Sequence, residues 1–193
     1  MMPNALLTYP YEKLKDWKAS FPAGRIDKIY LHWSAGDYRD VFEAYHYCVA
    51  IDDDGDIVVA NTHDLRENMR NVSLDPEAPY AAHTRGRNSF AAGISVMSMK
   101  DAQPHDFGAY PLTEALVDVL CIVAARLAAF YKIPIEPHTI LTHAEAAVVD
   151  GYFGSGEEER WDIARLAPSA EPLLPQSAAQ VGDELRRRIR ACL

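Results

Sequence analysis

Cysteine is scarce in this chain: Cys48, Cys121 and Cys192 are odd in number, far apart, and share no CxxC or Cys/His spacing. They support neither a disulfide framework nor a cysteine-based zinc site, and read as reduced thiols, with Cys48 and Cys121 in the core. Long apolar runs are missing too. The longest stretch, residues 116–131, is broken by Asp118 and Arg126 and falls short of the ~18 uninterrupted residues that a membrane span requires. The opening segment MMPNALLTYPYEKLKDW has no basic region, apolar core or small-residue cleavage site. It therefore predicts synthesis in the cytoplasm without a secretory signal. Positive charge is in deficit, with 19 Lys and Arg against 28 Asp and Glu, a net charge of −9. That balance opposes non-specific binding to nucleic acid or anionic membrane, both of which rely on cationic side chains. Repeats and low-complexity tracts are also absent.

What is present is the composition of a packed protein: 49% hydrophobic and 24% charged residues, with three tryptophans and ten tyrosines. A chain of 193 residues fits one domain, because a core of this size buries roughly 70% of the unfolded surface without staples. The expectation is one domain over residues 1–193, with a core at about 26–168 and a C-terminal extension at 169–193.

Residues 29–33 (IYLHW) form a short β-branched and aromatic run that predicts a buried strand, closed by Ser34-Ala35-Gly36. Residues 47–51 and 57–60 flank Asp52-Asp53-Asp54-Gly55-Asp56, whose Asp-Gly pair predicts an antiparallel hairpin. Residues 61–88 are polar and without period, and read as a surface excursion able to carry binding residues. Gly93 to Met99 alternates as a strand does, with Ile94, Val96 and Ser98 opposite Ser95, Met97 and Met99. Thr113 is a good N-cap for a helix whose stripe is Leu116, Leu120, Val123, Leu127 and Phe130, stopped by Pro134, with Leu112 and Val117 placed to staple its start. Residues 139–142 predict another strand that delivers His143 at its end. Residues 177–192 carry Val181, Leu185 and Ile189 on one face and four arginines near the end, as a terminal amphipathic helix does. Strands before and after one long helix predict an α/β fold, a mixed central sheet flanked by helices.

Among seven histidines, His32 and His143 both end short apolar strand-like runs, where a rigid sheet can aim a side chain into a cleft. Asp162 sits beside Trp161 and can complete a set of two imidazoles and one carboxylate, the donors of a catalytic zinc site in which a further position belongs to water.

The ordered blocks IYLHWSAG, AYHYCVAIDDDGDIV, HTRGRNSFAAGISV, ILTHAEA and RWDIARL together resemble the N-acetylmuramoyl-L-alanine amidases of the amidase-2 type, a superfamily shared with phage lysozyme-like amidases and peptidoglycan recognition proteins. The resemblance covers about residues 29–166, and the ending looks most like phage or prophage members. It implies a zinc enzyme that hydrolyses the amide between N-acetylmuramic acid and L-alanine, with peptidoglycan or a muropeptide as substrate and a monomer as the working unit. By position it makes His32, His143 and Asp162 the Zn2+ ligands. It makes Tyr45 a catalytic residue whose hydroxyl meets the water or the scissile carbonyl; a core aromatic satisfied elsewhere is the plain alternative.

Arg160 stands where phage relatives have Lys and some recognition proteins have Thr. A guanidinium there can stabilise an oxyanion but donates a proton less readily than Lys; bridging Glu157, Glu158 or Glu159 on the surface is its other reading. Ser95 occupies the place where the recycling branch has a catalytic Glu, which leaves Tyr45 and the metal site to carry the chemistry. His83 resembles a histidine lining the substrate groove, with a backbone-bonded loop histidine as the equal alternative. Glu145 can accept a hydrogen bond from a ligand histidine and fix its tautomer, or be an exposed glutamate. His46, on the face opposite Tyr45, reads as structural, and His63, His105 and His138 receive no role. Two rival readings accompany the lysin: a binding module that does not cut, and a cytosolic enzyme that recycles muropeptides. A lysin or exported effector made without a signal would reach the wall after release or export.

Overall fold

Six strands pair into one sheet in the order β1-β4-β3-β5-β2-β6, in a computed structural model that describes residues 5–193. Residues 1–4, which open the segment read for a leader, lie outside the described residues. The strands are β1 (Tyr11–Lys13), β2 (Lys28–Trp33), β3 (Tyr47–Ile51), β4 (Ile57–Asn61), β5 (Ala91–Val96) and β6 (Ile140–Thr142). Three helices accompany them: α1 (Glu114–Tyr131), α2 (His143–Asp150) and α3 (Pro175–Ala191). The sheet is mixed, as expected. β1, β4 and β3 pair antiparallel through the predicted hairpin, whereas β3, β5, β2 and β6 run parallel.

The two faces of the sheet differ because alternate side chains point to opposite sides. One face presents Ile29, Leu31, Val49, Ile94, Val96 and Ile140, and packs with Leu116, Leu120, Val123 and Leu127 of α1 and Leu185 and Ile189 of α3 in the main core. Each such side chain, once fully buried, contributes roughly 1.5–3 kcal/mol. The other face carries smaller clusters around Cys48, Ala50, Val58, Ala60 and Met97 and around Tyr30, Ala91 and Leu141. His32 belongs to this second face, in register with Ser95 of β5, which in turn pairs with Cys48 of β3.

Thr113 caps α1 by accepting from the Leu116 amide, and the helix ends at Lys132 in a left-handed conformation, two residues before Pro134. Phe130 departs from the expected stripe: it is half exposed and packs edge-on against Phe21, 5.4 Å between centroids. The fifth strand stops at Val96 instead of running to Met99. Met99 adopts a positive φ of 72° and turns back into the main core, while Met97 stays on the other face. Residues 61–88 are less superficial than their polarity suggests. Two short 3-10 turns, Leu65–Asn68 and Val72–Leu74, start the segment, and Asn68, Ala81, His83, Thr84 and Asn88 are buried. The Asn68 side chain accepts from the Ala81 amide and donates to the Ala81 and Asn88 carbonyls, satisfying backbone that strand pairing does not reach.

Cys48 and Cys121 are buried and Cys192 is exposed, all three free. Among the described residues no helix is long and apolar enough to cross a membrane.

Candidate metal centre

β2 delivers His32 fully buried at the end of the sheet. His143 arrives differently from expectation: β6 ends at Thr142, and His143 is the first residue of α2, an element the sequence reading did not contain. The cause is local. Thr142 accepts from the Glu145 amide while the Glu145 carboxylate accepts from the Thr142 amide, a complete capping box that starts a helix at once. Asp162 is tied to the same helix through its carbonyl, which accepts from the Ala144 amide at 3.0 Å. The next residue, Ile163, is β-branched, fully buried and held at φ +58°. Such a conformation costs on the order of 1–3 kcal/mol and is kept only where surrounding structure imposes it.

These three residues meet. His32 Nδ1 lies 3.1 Å from His143 Nδ1 and 3.2 Å from Asp162 Oδ2, and His143 Nδ1 lies 2.9 Å from the same oxygen. Donor atoms bound tetrahedrally at ~2.0–2.1 Å from zinc stand about 3.3 Å apart, close to the edges of this triangle. Protons cannot satisfy the triangle as well as a cation does, because a ring N–H points in one direction and cannot serve two edges. The His–His–Asp group can therefore hold a metal ion, and its mixture of two nitrogens and one oxygen suits zinc.

Electrostatics keep His32 and Asp162 in the forms that bind a metal. Burial drives the His32 imidazole down to about 4 against the pull of Asp162, leaving it neutral. Burial opposes the Asp162 charge, but the His143 and His32 rings outweigh it and hold the carboxyl well below its usual range. On the far side of the His32 ring, Nε2 lies 3.3 Å from Thr84 Oγ1, which lies 2.9 Å from His83 Nδ1. Thr84 thus links the two rings and is placed to accept the His32 Nε2 proton, fixing the tautomer that leaves Nδ1 free for a metal.

The triangle opens on a cleft of about 580 Å³ lined by His143, Asp162, Tyr45, His83, Arg160 and the T-stacked pair Trp33 and Trp161, among others. Tyr45 packs its ring 5.1 Å from that of His32. Burial first, then the Asp162 carboxylate, raise its phenol above the ordinary value, while Ser95 and Arg160 act in the opposite sense; the hydroxyl stays a proton donor. Arg160 is exposed on the rim and donates to the carbonyls of Glu157 and Glu159, at 3.2 and 2.6 Å. It is thus held to two of the neighbouring glutamates through their backbone, with no ion pair to their carboxylates among the described residues.

His83 is buried in the cleft wall with its ring over Gly93, where an added Cβ would stand 2.4 Å from the imidazole. Glycine is needed there for close approach. His46 is structural as expected, its Nδ1 accepting from the Gly93 amide at 3.0 Å, but its ring lies 5.7 Å from that of His83 instead of across the sheet. Glu145 does not reach a ligand ring. Its carboxylate is engaged by the Thr142 amide and by Arg186 of α3, at 2.8 and 3.1 Å, so the expected contact with a ligand histidine is replaced by anchorage of α2. His63 binds Glu67 and the Glu43 carbonyl, and His138 pairs with Glu136; both stand away from the triad.

Thr84 and Tyr152 were not legible as site residues. Thr84 sits inside the HTRGRN block, but no period or charge distinguishes it. Tyr152 follows a helix-ending Gly151 and reaches the site only because the chain turns there, placing its ring 6.0 Å from His143.

Neither a protein-family model nor a curated protein matches the sequence. Among solved structures, the chain is similar to a crystal structure of AmpDH3 from Pseudomonas aeruginosa, with 16% identity and a TM-score of 0.42. The match covers 70% of this chain and 58% of that one, so the chain spans less than two thirds of the protein it matches.

Proposed function

We propose that this protein is a zinc-dependent N-acetylmuramoyl-L-alanine amidase of the phage or prophage lysin kind, working as one domain and as a monomer on peptidoglycan. The observation that carries the reading is the convergence of His32 Nδ1, His143 Nδ1 and Asp162 Oδ2, from three distant parts of the chain, at the floor of a cleft. The block order shared with the amidase-2 family adds to it.

Zinc held there would act as a Lewis acid on the scissile carbonyl and bring the pKa of water to near neutrality. The protein's own groups do the rest. His32, His143 and Asp162 supply three donors, with Thr84 holding the His32 ring in its tautomer. Tyr45 donates its phenolic proton in a hydrogen bond to the carbonyl oxygen as negative charge develops, and the Arg160 guanidinium stabilises the same charge from the rim. Trp33 and Trp161 wall the cleft. Water adds to the carbonyl carbon of the lactyl group, the C–N bond breaks, and the water's protons pass to the leaving alanine nitrogen, giving a carboxylate and a free amine. His83, in the cleft wall, is assigned to substrate contact.

Digestion of intact sacculi followed by mass analysis tests the reading. Glycan strands with free lactyl carboxylates and released peptides beginning with L-alanine are expected, with release abolished by a chelator and restored by zinc. Release that persists in metal-free protein overturns the mechanism. Binding without cleavage would identify a recognition module, and cleavage confined to small soluble muropeptides would identify a recycling enzyme.

A further inference from the structure

Two adjoining cavities, of about 300 and 270 Å³, lie toward the β1 edge of the sheet and share Ser20, Tyr47 and Asn61 in their walls. Trp17 lines the first and Phe21 the second. Tyr47 stands two residues before Val49 on β3 and belongs to the main core, so these cavities open on the α1 face of the sheet, whereas His32 faces the other side. They have no lining residue in common with the cleft at the metal centre.

Tyr47 is only 6% exposed, yet its hydroxyl has no hydrogen-bond partner among the described residues. A buried polar group left unsatisfied calls for an explanation, and a bound ligand is one. Burial first, then Tyr131 and Asp64, raise its phenol above the usual value, so the hydroxyl keeps its proton and remains a donor. The Ser20 hydroxyl is likewise unbonded among the described residues. Asn61 gives its amide hydrogens to the His46 and His63 carbonyls, at 2.9 and 3.0 Å, which leaves its side-chain oxygen free to accept. The rings of Trp17, Phe21 and Tyr47 meet edge to face with centroids 6.0 to 6.4 Å apart. Arg126 fixes Trp17, lying 4.9 Å from its ring centroid and donating to its carbonyl at 2.9 Å. Charges in the walls balance: Glu12 and Lys18 oppose each other in the first cavity, and Asp64 pairs with Arg66 at 2.8 Å in the second.

We propose that these cavities form a saccharide-binding site, separate from the metal centre, in which a sugar of a glycan strand lies against Trp17 and Tyr47. The Tyr47 and Ser20 hydroxyls donate to the sugar, and the Asn61 side-chain oxygen accepts from it. A sugar suits this lining because its hydroxyls answer the unbonded polar groups, its C–H faces cover the aromatic rings, and a balanced wall selects no ion. The choice of a peptidoglycan strand as the source rests on the amidase reading above; the saccharide chemistry does not. In a meshwork of strands, a hold on one strand keeps amides of its neighbours close to the triad, raising their effective concentration without a new contact to the bond that is cut.

The test titrates a tetramer of N-acetylglucosamine, neutral and free of peptide, into the whole zinc-loaded chain and follows the three tryptophan indole N–H signals by NMR. The Trp17 signal should move and yield a Kd. Tyr47→Phe keeps the ring and should raise that Kd about three- to tenfold, the effect of losing one neutral hydrogen bond. Ser20→Tyr, at an exposed position, fills the shared mouth and should abolish the shift. Both variants should match the parent on a small soluble muropeptide and fall at least about threefold behind it on intact sacculi. A Trp17 signal that does not move, a shift confined to Trp33 and Trp161, or a Kd equal in the parent and both variants overturns the site while leaving the amidase reading intact. Tetramer binding as expected, with no cleavage of any muropeptide, overturns the amidase reading and leaves the saccharide site standing.

Discussion

The Glu145 carboxylate and the Arg186 guanidinium form a two-pronged ion pair between α2 and α3, with side chains 10% and 3% exposed. Its closeness depends on Gly182, where a Cβ would stand 2.2 Å from the carboxylate. Arg186 also donates to the Ile140 carbonyl at 2.8 Å, so one side chain of the terminal helix braces both β6 and the helix that begins with His143.

Removing one partner of a buried pair strands the other charge, at a cost of about 3–5 kcal/mol. Arg186→Met is therefore expected to lower the unfolding free energy by that amount in urea titrations. Arg186→Met with Glu145→Gln should recover most of it, because the amide still caps α2 and no buried charge is left. A single variant within 1 kcal/mol of the parent, roughly the effect of an ordinary surface change, would contradict this role.

Thr84 touches no substrate in the proposed mechanism, yet its hydroxyl orients His32. Loss of a group that orients a ligand histidine typically weakens metal affinity about 10–100-fold. Thr84→Val should do so in chelator competition, and Thr84→Ser should restore it. Unchanged zinc affinity in the valine variant would remove Thr84 from the site.

Tyr45 and Arg160 stabilise charge that exists only during the reaction. Tyr45→Phe and Arg160→Ala should each lower kcat about 10²–10³-fold, the effect of losing one oxyanion donor, with zinc content unchanged. Arg160→Lys should keep much of the activity, since an ammonium can serve the same oxygen. Zinc loss in Tyr45→Phe would mean that the tyrosine acts on the metal site rather than on the carbonyl.

Burial pushes His46 down to about 3, against about 6.5 in an unfolded chain. Between those values the unfolded state binds the extra proton, so stability is full above about pH 6.5 and is lost as the pH falls toward 3. The slope from one such imidazole is about 1.4 kcal/mol per pH unit, and His83, also lowered by burial, acts in the same direction. In His46→Asn, where the amide oxygen can still accept from the Gly93 amide, urea melts at pH 6, 5 and 4 should give a slope smaller by one imidazole. A slope equal to that of the parent would mean that His46 is not neutral in the folded protein.

Strands β2 to β6, the hairpin, the capped helix α1 and the terminal helix α3 could be read from periodicity and turn chemistry, because those signals lie within a few residues of each other; the three-residue strand β1 (Tyr11–Lys13) was not read. The three candidate metal donors were also nameable, His32 and His143 from their places at the ends of apolar runs, and all three from the family-like order of blocks. Other features depend on residues far apart in sequence. Glu145 could not be assigned to Arg186, 41 positions away, because no local pattern says which exposed-looking arginine a fold will bury. The interior part of residues 61–88 was hidden for a similar reason: its polar side chains satisfy backbone that only the folded sheet brings near, as Asn68 does for Ala81 and Asn88. The start of α2 at His143 was encoded locally in the capping box, but a three-residue strand just before it masked the change of period.

Residue type and order by themselves determined which groups are able to bind a metal and which segments form strands and helices, since both are properties of the side chains and their near neighbours. Tertiary structure alone decided that two imidazoles and a carboxylate share a triangle about 3 Å on a side, that Thr84 backs one of the rings, and that Ser20, Tyr47 and Asn61 line the same two cavities. Those outcomes are distances between parts of the chain separated by tens of residues, and only the packing of helices on the sheet sets them.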